Sequence, residues 1–271
     1  MAGEKQRAGK RRISVKKMNG ETEIYNPEKL RKSLVRVGAD DETINRILEK
    51  VDRILHDGIE TKKLFDFVHK ELNKTRPAAG LKYNLKSAMV RMRIHGGFVF
   101  EKFAGRVLEK QGYKIQMNPV IQGEYVTHEI DVFAQKGSEK LMVEVKHHMD
   151  SGERVPIQTA LYVYARFLEV KKKFTKPMLI TNAKFSEQVV YYSKGVGIRL
   201  MGWKYPYQDS LEDNIARYNL YPITILEMPE NEIRKYLEKN ILTIQELREQ
   251  KGISEDIRRK IDAVLRNEGE K

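Results

Sequence analysis

The sequence contains no cysteine among its 271 residues. That excludes disulfides, cysteine-ligated zinc and thiol catalysis, and it fits a reducing, cytoplasmic setting. Long apolar runs are also missing. Nothing approaches the roughly 20 consecutive apolar residues that a membrane span requires, so no membrane partner is expected. The N-terminus, MAGEKQRAGKRR, lacks the apolar core of a secretory signal. Acidic residues are the scarcer charge, 38 Asp and Glu against 51 Lys and Arg, for a formal net charge of +13. The simplest partner for such a surface is a polyanion, most often nucleic acid. The same cysteine-free, Lys-, Arg- and Glu-rich composition also suits a protein from a hot environment. No internal repeat or low-complexity segment is evident, and the length admits two or three small domains.

The most informative stretch runs from His128 to His148, HEIDVFAQKGSEKLMVEVKHH. It reads as two alternating strands, His128–Ala134 and Leu141–His147, around the polar turn Gln135–Lys140. Strand side chains alternate between faces, so Glu129 and Asp131 share one face. Glu144 and Lys146 share another, opposite to Leu141, Val143 and Val145. A hairpin symmetric about Gly137-Ser138 puts Asp131 opposite Glu144 and Glu129 opposite Lys146. Two carboxylates and an ammonium then meet on one patch of sheet. Buried charges must be paired or hold a metal; a solvated face with cross-strand ion pairs would read the same way from the hairpin alone. By alternation His128 and His147 fall on the face away from the carboxylates, and only His148 can share theirs.

Around this stretch the chain divides into parts. Residues 1–12 form a basic tail. In 13–94, Ile13–Lys17 and Thr22–Tyr25 are short strands joined at Asn19-Gly20, a hairpin turn dipeptide. Asn26 caps a helix that opens at Pro27 and stops at Gly38. Helices follow over Asp41–His56, from a Thr61 cap, and over Leu81–Ile94. His95-Gly96-Gly97 is the expected joint. Next come a helix Phe98–Gln111 carrying Glu101, a strand Tyr113–Met117, the hairpin, and a helix from Pro156 with Gln158 near its start. The buried stripe of that helix is expected at Ile157, Ala160, Leu161, Tyr164, Ala165 and Leu168. A strand at Met178–Thr181, a Ser186-capped helix and a strand Ile198–Trp203 complete an αβββαβαβ order, a mixed α/β layer structure. Residues 206–271 are a C-terminal helical segment with a capping box at Thr243–Glu246.

The first part resembles the ATP-cone, a regulatory nucleotide-binding domain, through Val15-Lys16-Lys17-Met18-Asn19-Gly20, Tyr25-Asn26-Pro27-Glu28-Lys29-Leu30, Thr61 and Tyr83. Met18 stands where that family has a second basic residue. The resemblance implies ATP or dATP as a regulatory ligand. Lys17 and Lys29 would face phosphates, Glu23 and Asn26 would contact the nucleoside, and Thr61 would line the pocket.

Residues 98–205 resemble the PD-(D/E)XK nuclease superfamily, in particular the Mrr-like restriction endonucleases. The resemblance rests on Phe100-Glu101, Gly112-Tyr113, Glu129-Ile130-Asp131, Glu144-Val145-Lys146, Gln158, Leu179-Ile180-Thr181-Asn182 and Phe185-Ser186. Ile130 stands where the superfamily's name has proline. The resemblance implies DNA as substrate, phosphodiester hydrolysis, and Mg²⁺ or Mn²⁺ on Asp131 and Glu144. Lys146 would position the attacking water, Glu101 would add or orient a metal ligand, and Gln158 would support the site or touch a phosphate. The whole chain then reads as an endonuclease regulated by ATP or dATP, acting as a homodimer or larger homo-oligomer. The competing expectations are a non-catalytic, ATP-responsive DNA-binding regulator and a structure-specific, junction-type nuclease.

Overall fold

In the computed structural model, residues 13–17, 20–92, 98–149 and 152–266 are described. The basic tail 1–12, Met18-Asn19 of the first turn, and the His95-Gly96-Gly97 joint lie outside them. The chain separates into two compact units, residues 1–83 and 84–271. The division falls earlier than the expected joint because the expected helix Leu81–Ile94 is interrupted at Asn84. Its first half, α4 (Pro77–Tyr83), closes the first unit. Its second half, α5 (Leu85–Arg91), is built into the second unit. There Arg91 donates to the Thr224 carbonyl at 2.7 Å and Thr224 donates to the Ala88 carbonyl at 2.8 Å. Residues 206–271 likewise belong to the second unit rather than standing alone.

The first unit opens with β1 (Ser14–Lys16) and β2 (Thr22–Ile24), paired antiparallel, with β3 (Ile59–Glu60) added parallel on the other side of β1. Helices α1 (Pro27–Arg36), α2 (Asp41–Ile54) and α3 (Thr61–Thr75) pack beside this sheet. Asn26 caps α1 through the Glu28 amide, as its spacing predicts. Thr61 does not cap α3: Glu60 is the flanking residue, and the Thr61 hydroxyl donates to the Lys16 carbonyl at 3.1 Å. Leu34, Ile44, Ile47, Val51, Val68 and Leu72 are almost fully buried and make one core with Val15 and Ile59.

In the second unit, α6 (Phe98–Lys110) leads into β4 (Lys114–Met117) through Gly112, whose φ of 91° suits a residue without Cβ. Short strands β5 (Val120–Gln122) and β6 (Thr127–Glu129) form a separate ribbon. The hairpin β7 (Val132–Lys136) and β8 (Glu139–Lys146) follows, turning at Gly137. After β9 (Arg154–Val155) come α7 (Ile157–Val170), β10 (Lys176–Thr181), β11 (Lys184–Phe185), α8 (Glu187–Val196) and β12 (Arg199–Met201). Five strands make a mixed sheet in the order β12-β10-β8-β7-β4, with β8 central, parallel to β10 and antiparallel to β7. Helices α9 (Leu211–Arg217), α10 (Glu230–Glu238), α11 (Ile244–Arg248) and α12 (Glu255–Leu265), with a 3₁₀ turn at Ile223–Leu226, complete the unit. The Thr243–Glu246 capping box is present.

Two further expectations need correcting. The strand expected over His128–Ala134 is two strands. Asn118, with φ of 49°, and Pro119, with no amide to donate, interrupt the regular β4–β7 ladder, although the Asn118 amide still bonds the Asp131 carbonyl and the Ile130 amide the Pro119 carbonyl. The chain then leaves the sheet to form the β5–β6 ribbon, where Glu129 pairs with Val120. Second, the buried stripe of α7 is Ala160, Val163, Arg166 and Val170; Leu161 and Leu168 are exposed. The helix is rotated from the expected setting because β8 and β10 present a continuous apolar surface that the 160–163–170 row fits.

Candidate active site

The register of β7 and β8 is the one that symmetry about Gly137-Ser138 predicts, with Val132 opposite Val143 and Phe133 opposite Met142. Asp131 stands just before β7, and its carboxylate reaches the Val145 amide next to Glu144. Every residue from Leu141 to Val145 is buried, as befits the central strand of a covered sheet. Met142, Glu144 and Lys146 point to the face covered by α7, where Met142 joins the core of Ala160, Val163 and Leu179. Glu144 is therefore a carboxylate on an apolar face, 4 % exposed, and it requires partners.

It has two. Lys146 Nζ lies 2.7 Å from Glu144 Oε1, and Arg166 Nη1 pairs with Glu144 Oε2. Arg166 Nη2 also donates to the main-chain carbonyl of Glu129, and its guanidinium packs 5.3 Å from the Tyr162 ring centroid. Burial works against the Lys146 charge, but the hydrogen bond and the charge of Glu144 outweigh it and raise the lysine's pKa. Asp131 Oδ2 accepts the Val145 amide at 2.7 Å. Burial, then the charge of Glu144, raises the Asp131 carboxyl to about 7, against the opposing pull of that amide. Glu101, on α6, accepts from Asn118 Nδ2 at 3.2 Å, and burial together with Glu144 and Glu129 raises its pKa as well. Glu101, Asn118, Glu129, Asp131 and Arg166 line one cavity of about 440 Å³, with Phe98, Thr127, His128 and Tyr162 around them.

The structure thus brings together Asp131, Glu144, Lys146 and Glu101. Gln158 is exposed at the second position of α7 and, like Glu144 and Lys146, is not among the residues lining that cavity. Glu129 does not face Lys146: its strand pairs with β5, and the lysine's partner is Glu144. Of the histidines, His128 differs from expectation. His128 lines the cavity, 3.7 Å from Glu169, because the ribbon turns it toward the carboxylate side. His147 stacks on Phe100 and reaches the Met89 carbonyl at 2.8 Å. His148 is held by Asn182 and pairs with Glu153 at 2.6 Å. Arg166 was not singled out by the sequence reading. Its signal was there: a lone cation in phase with Val163 and Val170 on an apolar stripe, which demands a buried anion opposite.

No group of three or more His, Cys, Asp or Glu is arranged to hold a metal among the described residues. Two carboxylates, however, are what hydrated magnesium usually takes from a protein. The Asp131 and Glu101 carboxyls are raised first by burial and then by the neighbouring carboxylate Glu144, and a hard divalent cation fits that donor chemistry.

In the first unit, Lys17 and Lys29 both reach Glu23, each at 3.2 Å, and Lys17 also pairs with Glu21 at 3.3 Å. Three of the residues named by the nucleotide-binding resemblance therefore meet at one place. Asn26 and Thr61 spend their side chains on backbone partners, as described above.

A restriction endonuclease family profile, the Mrr catalytic type, matches residues 93–204. An uncharacterized protein of Archaeoglobus fulgidus is 43 % identical over 128 residues, 45 % of this chain and 71 % of that one. A UPF0102 protein of Kosmotoga olearia is 30 % identical over 115 residues, 39 % of this chain and 96 % of that one. Among solved structures, AF1548, a protein of unknown function, aligns with a TM-score of 0.52 at 32 % identity, covering 62 % of this chain and 94 % of its own.

Proposed function

The chain belongs to the family of these UPF0102 and archaeal proteins, with a restriction endonuclease domain at residues 93–204, and from that premise we propose that it is a divalent-metal-dependent DNA endonuclease hydrolysing phosphodiester bonds. The observation that carries the reading is the meeting of Asp131, Glu144 and Lys146 at the end of β8, next to one open cavity. A structural ion pair alone would need Glu144 and Lys146; it would not need a half-buried carboxyl beside them at an energetic cost. Asp131 and Glu144 are the residues that would hold Mg²⁺ or Mn²⁺. Such an ion, when bound, polarises the scissile phosphate and lowers the pKa of its water. Lys146, half-exposed beside Glu144, is placed to orient a water and to meet developing phosphate charge. Glu101 and Asn118 line the same cavity; the Asn118 side chain donates to Glu101 and its main-chain amide holds the Asp131 carbonyl. Arg166 acts on the site through Glu144 and is a positioning residue. The expected result is conversion of supercoiled plasmid to nicked and linear forms in Mg²⁺ or Mn²⁺, with none in chelator. Intact plasmid at full DNA occupancy with either ion would leave the inert DNA-binding regulator instead.

For residues 13–83 the reading is a nucleotide-sensing unit that modulates cleavage. What supports it is the convergence of Lys17, Glu23 and Lys29, where triphosphate oxygens could take over the carboxylate's place on the two ammonium groups. Coupling requires different nucleotide affinity in the two functional states. ATP at 100 times its dissociation constant should stabilise the protein by about 2.7 kcal/mol, read as a rise in melting temperature that the double change Lys17→Ala and Lys29→Ala removes. An unchanged melting curve in ATP and dATP, with unchanged cleavage rates, would remove this part of the reading.

A further inference from the structure

The positive charge of this protein is not spread evenly. Residues 84–205 carry 20 Lys and Arg against 11 Asp and Glu, whereas residues 206–271 carry 11 against 14. Lys146 and Arg166 both pair with Glu144, so the site itself offers DNA few cations. A denser cluster lies at the other end of the central strand. Lys171, Lys172 and Lys173 follow the last turn of α7, Lys176 opens β10, and Lys140 opens the inner part of β8. Thr175 ties these together, its amide and hydroxyl bonding the Lys140 carbonyl at 2.8 and 3.0 Å while the Lys140 amide donates back to its hydroxyl. Lys171, Lys172, Lys173 and Lys176 are exposed, and none of the five is in an ion pair among the described residues. Of the carboxylates nearby, Glu139 is taken by the Tyr113 hydroxyl and Glu169 by the amides of Tyr125 and Val126, which leaves Glu124 exposed. Those same bonds fix the tip of the β5–β6 ribbon beside the lysines, with Tyr125 79 % exposed. A helix C-terminus favours a cation, but that accounts for one lysine next to α7 and not for five drawn from three elements.

We propose that this pole is a second nucleic-acid contact, gripping the phosphate backbone of DNA away from the carboxylates; it rests on the part of the proposed function that makes DNA the bound polymer. Lysines act on phosphate as point charges without reading sequence, and Tyr125 adds a ring for sugar or base contact. Six residues of strand separate Lys140 from Lys146, roughly 20 Å. At about 3.4 Å per base pair, DNA held at the carboxylates needs about six further base pairs to arrive there. The pole therefore favours substrates with extended flanks.

The test compares two triple variants of the full chain with equal loss of charge: Lys171, Lys172 and Lys173 all to Gln, and the exposed lysines Lys110, Lys114 and Lys194 all to Gln. Binding of a 30-base-pair duplex is measured by anisotropy across a salt series. Each phosphate contact contributes about 0.9 to the slope of log K against log salt. The Lys171 set should lower that slope by about 2 to 3 and the control set by less than 1. Equal slopes in the two variants overturn the proposal, since the effect is then a general field. Loss of binding to phosphatidylserine vesicles with an unchanged DNA slope also overturns it, and assigns the pole to membrane lipid. Because the readout is binding, the absence of cleavage would sink the nuclease reading without touching this one.

Discussion

Asp131→Asn should make the protein markedly more stable at pH 8 while leaving its stability at pH 4 nearly unchanged. The Asp131 carboxyl is raised from an ordinary value near 3.8 to about 7 by burial and by Glu144. In the folded protein it therefore keeps a proton that the unfolded chain has already lost. Its contribution to stability is full below about pH 4 and is lost as the pH rises through 7, up to about 4 kcal/mol. Asparagine has the same shape, can still accept the Val145 amide, and carries no charge to desolvate. At pH 8 its melting temperature should exceed that of the wild type by several degrees. Adding Mg²⁺ should narrow the gap by stabilising the wild type alone. Thermal unfolding at the two pH values decides the point; a gap that is the same at both would mean that Asp131 is not an electrostatically costly group.

Arg166→Met should be among the most destabilising single changes in the second unit. It strands a buried Glu144 with Lys146 as its only cation and leaves the Glu129 carbonyl without its donor. Breaking one half of a buried ion pair costs about 3–5 kcal/mol, whereas replacing both halves by well-packed neutral groups is often nearly neutral. The double change Glu144→Gln with Arg166→Met should therefore recover most of the lost stability and none of the cleavage. Urea unfolding of the single and double variants separates the two effects. A single variant within 1 kcal/mol of the wild type would contradict the pairing described here.

The site hairpin could be read from sequence because two independent signals agree. Val132–Lys136 and Glu139–Lys146 alternate or run apolar as strands do, and Gly137-Ser138 fixes the turn and hence the register. The element order of the sheet followed from the same periodicities. Other features turned on tertiary choices. The turn at Asn118-Pro119 moved Glu129 out of the sheet, and nothing local distinguishes His128–Glu129 from the start of a longer strand. On α7, apolar residues lie on more than one face, so the sequence allowed two settings; the wrong one hid Arg166 and put Leu161 and Leu168 inside. Asn84 separates two helices although the apolar spacing continues straight through it, and its side chain bonds Glu227, 143 residues away. On α7, charge on a buried stripe was the usable clue: Arg166 among valines predicts Glu144 as surely as Glu144 predicts a cation.

The most direct measurement is plasmid nicking by the wild type and by Asp131→Ala, each assayed in Mg²⁺ at protein concentrations giving equal DNA occupancy. The account predicts at least a thousandfold loss of nicking in the variant, with DNA affinity and a cooperative melting transition retained. Equal nicking by the two proteins would contradict it, because the phosphodiester chemistry would then lie somewhere other than the end of β8.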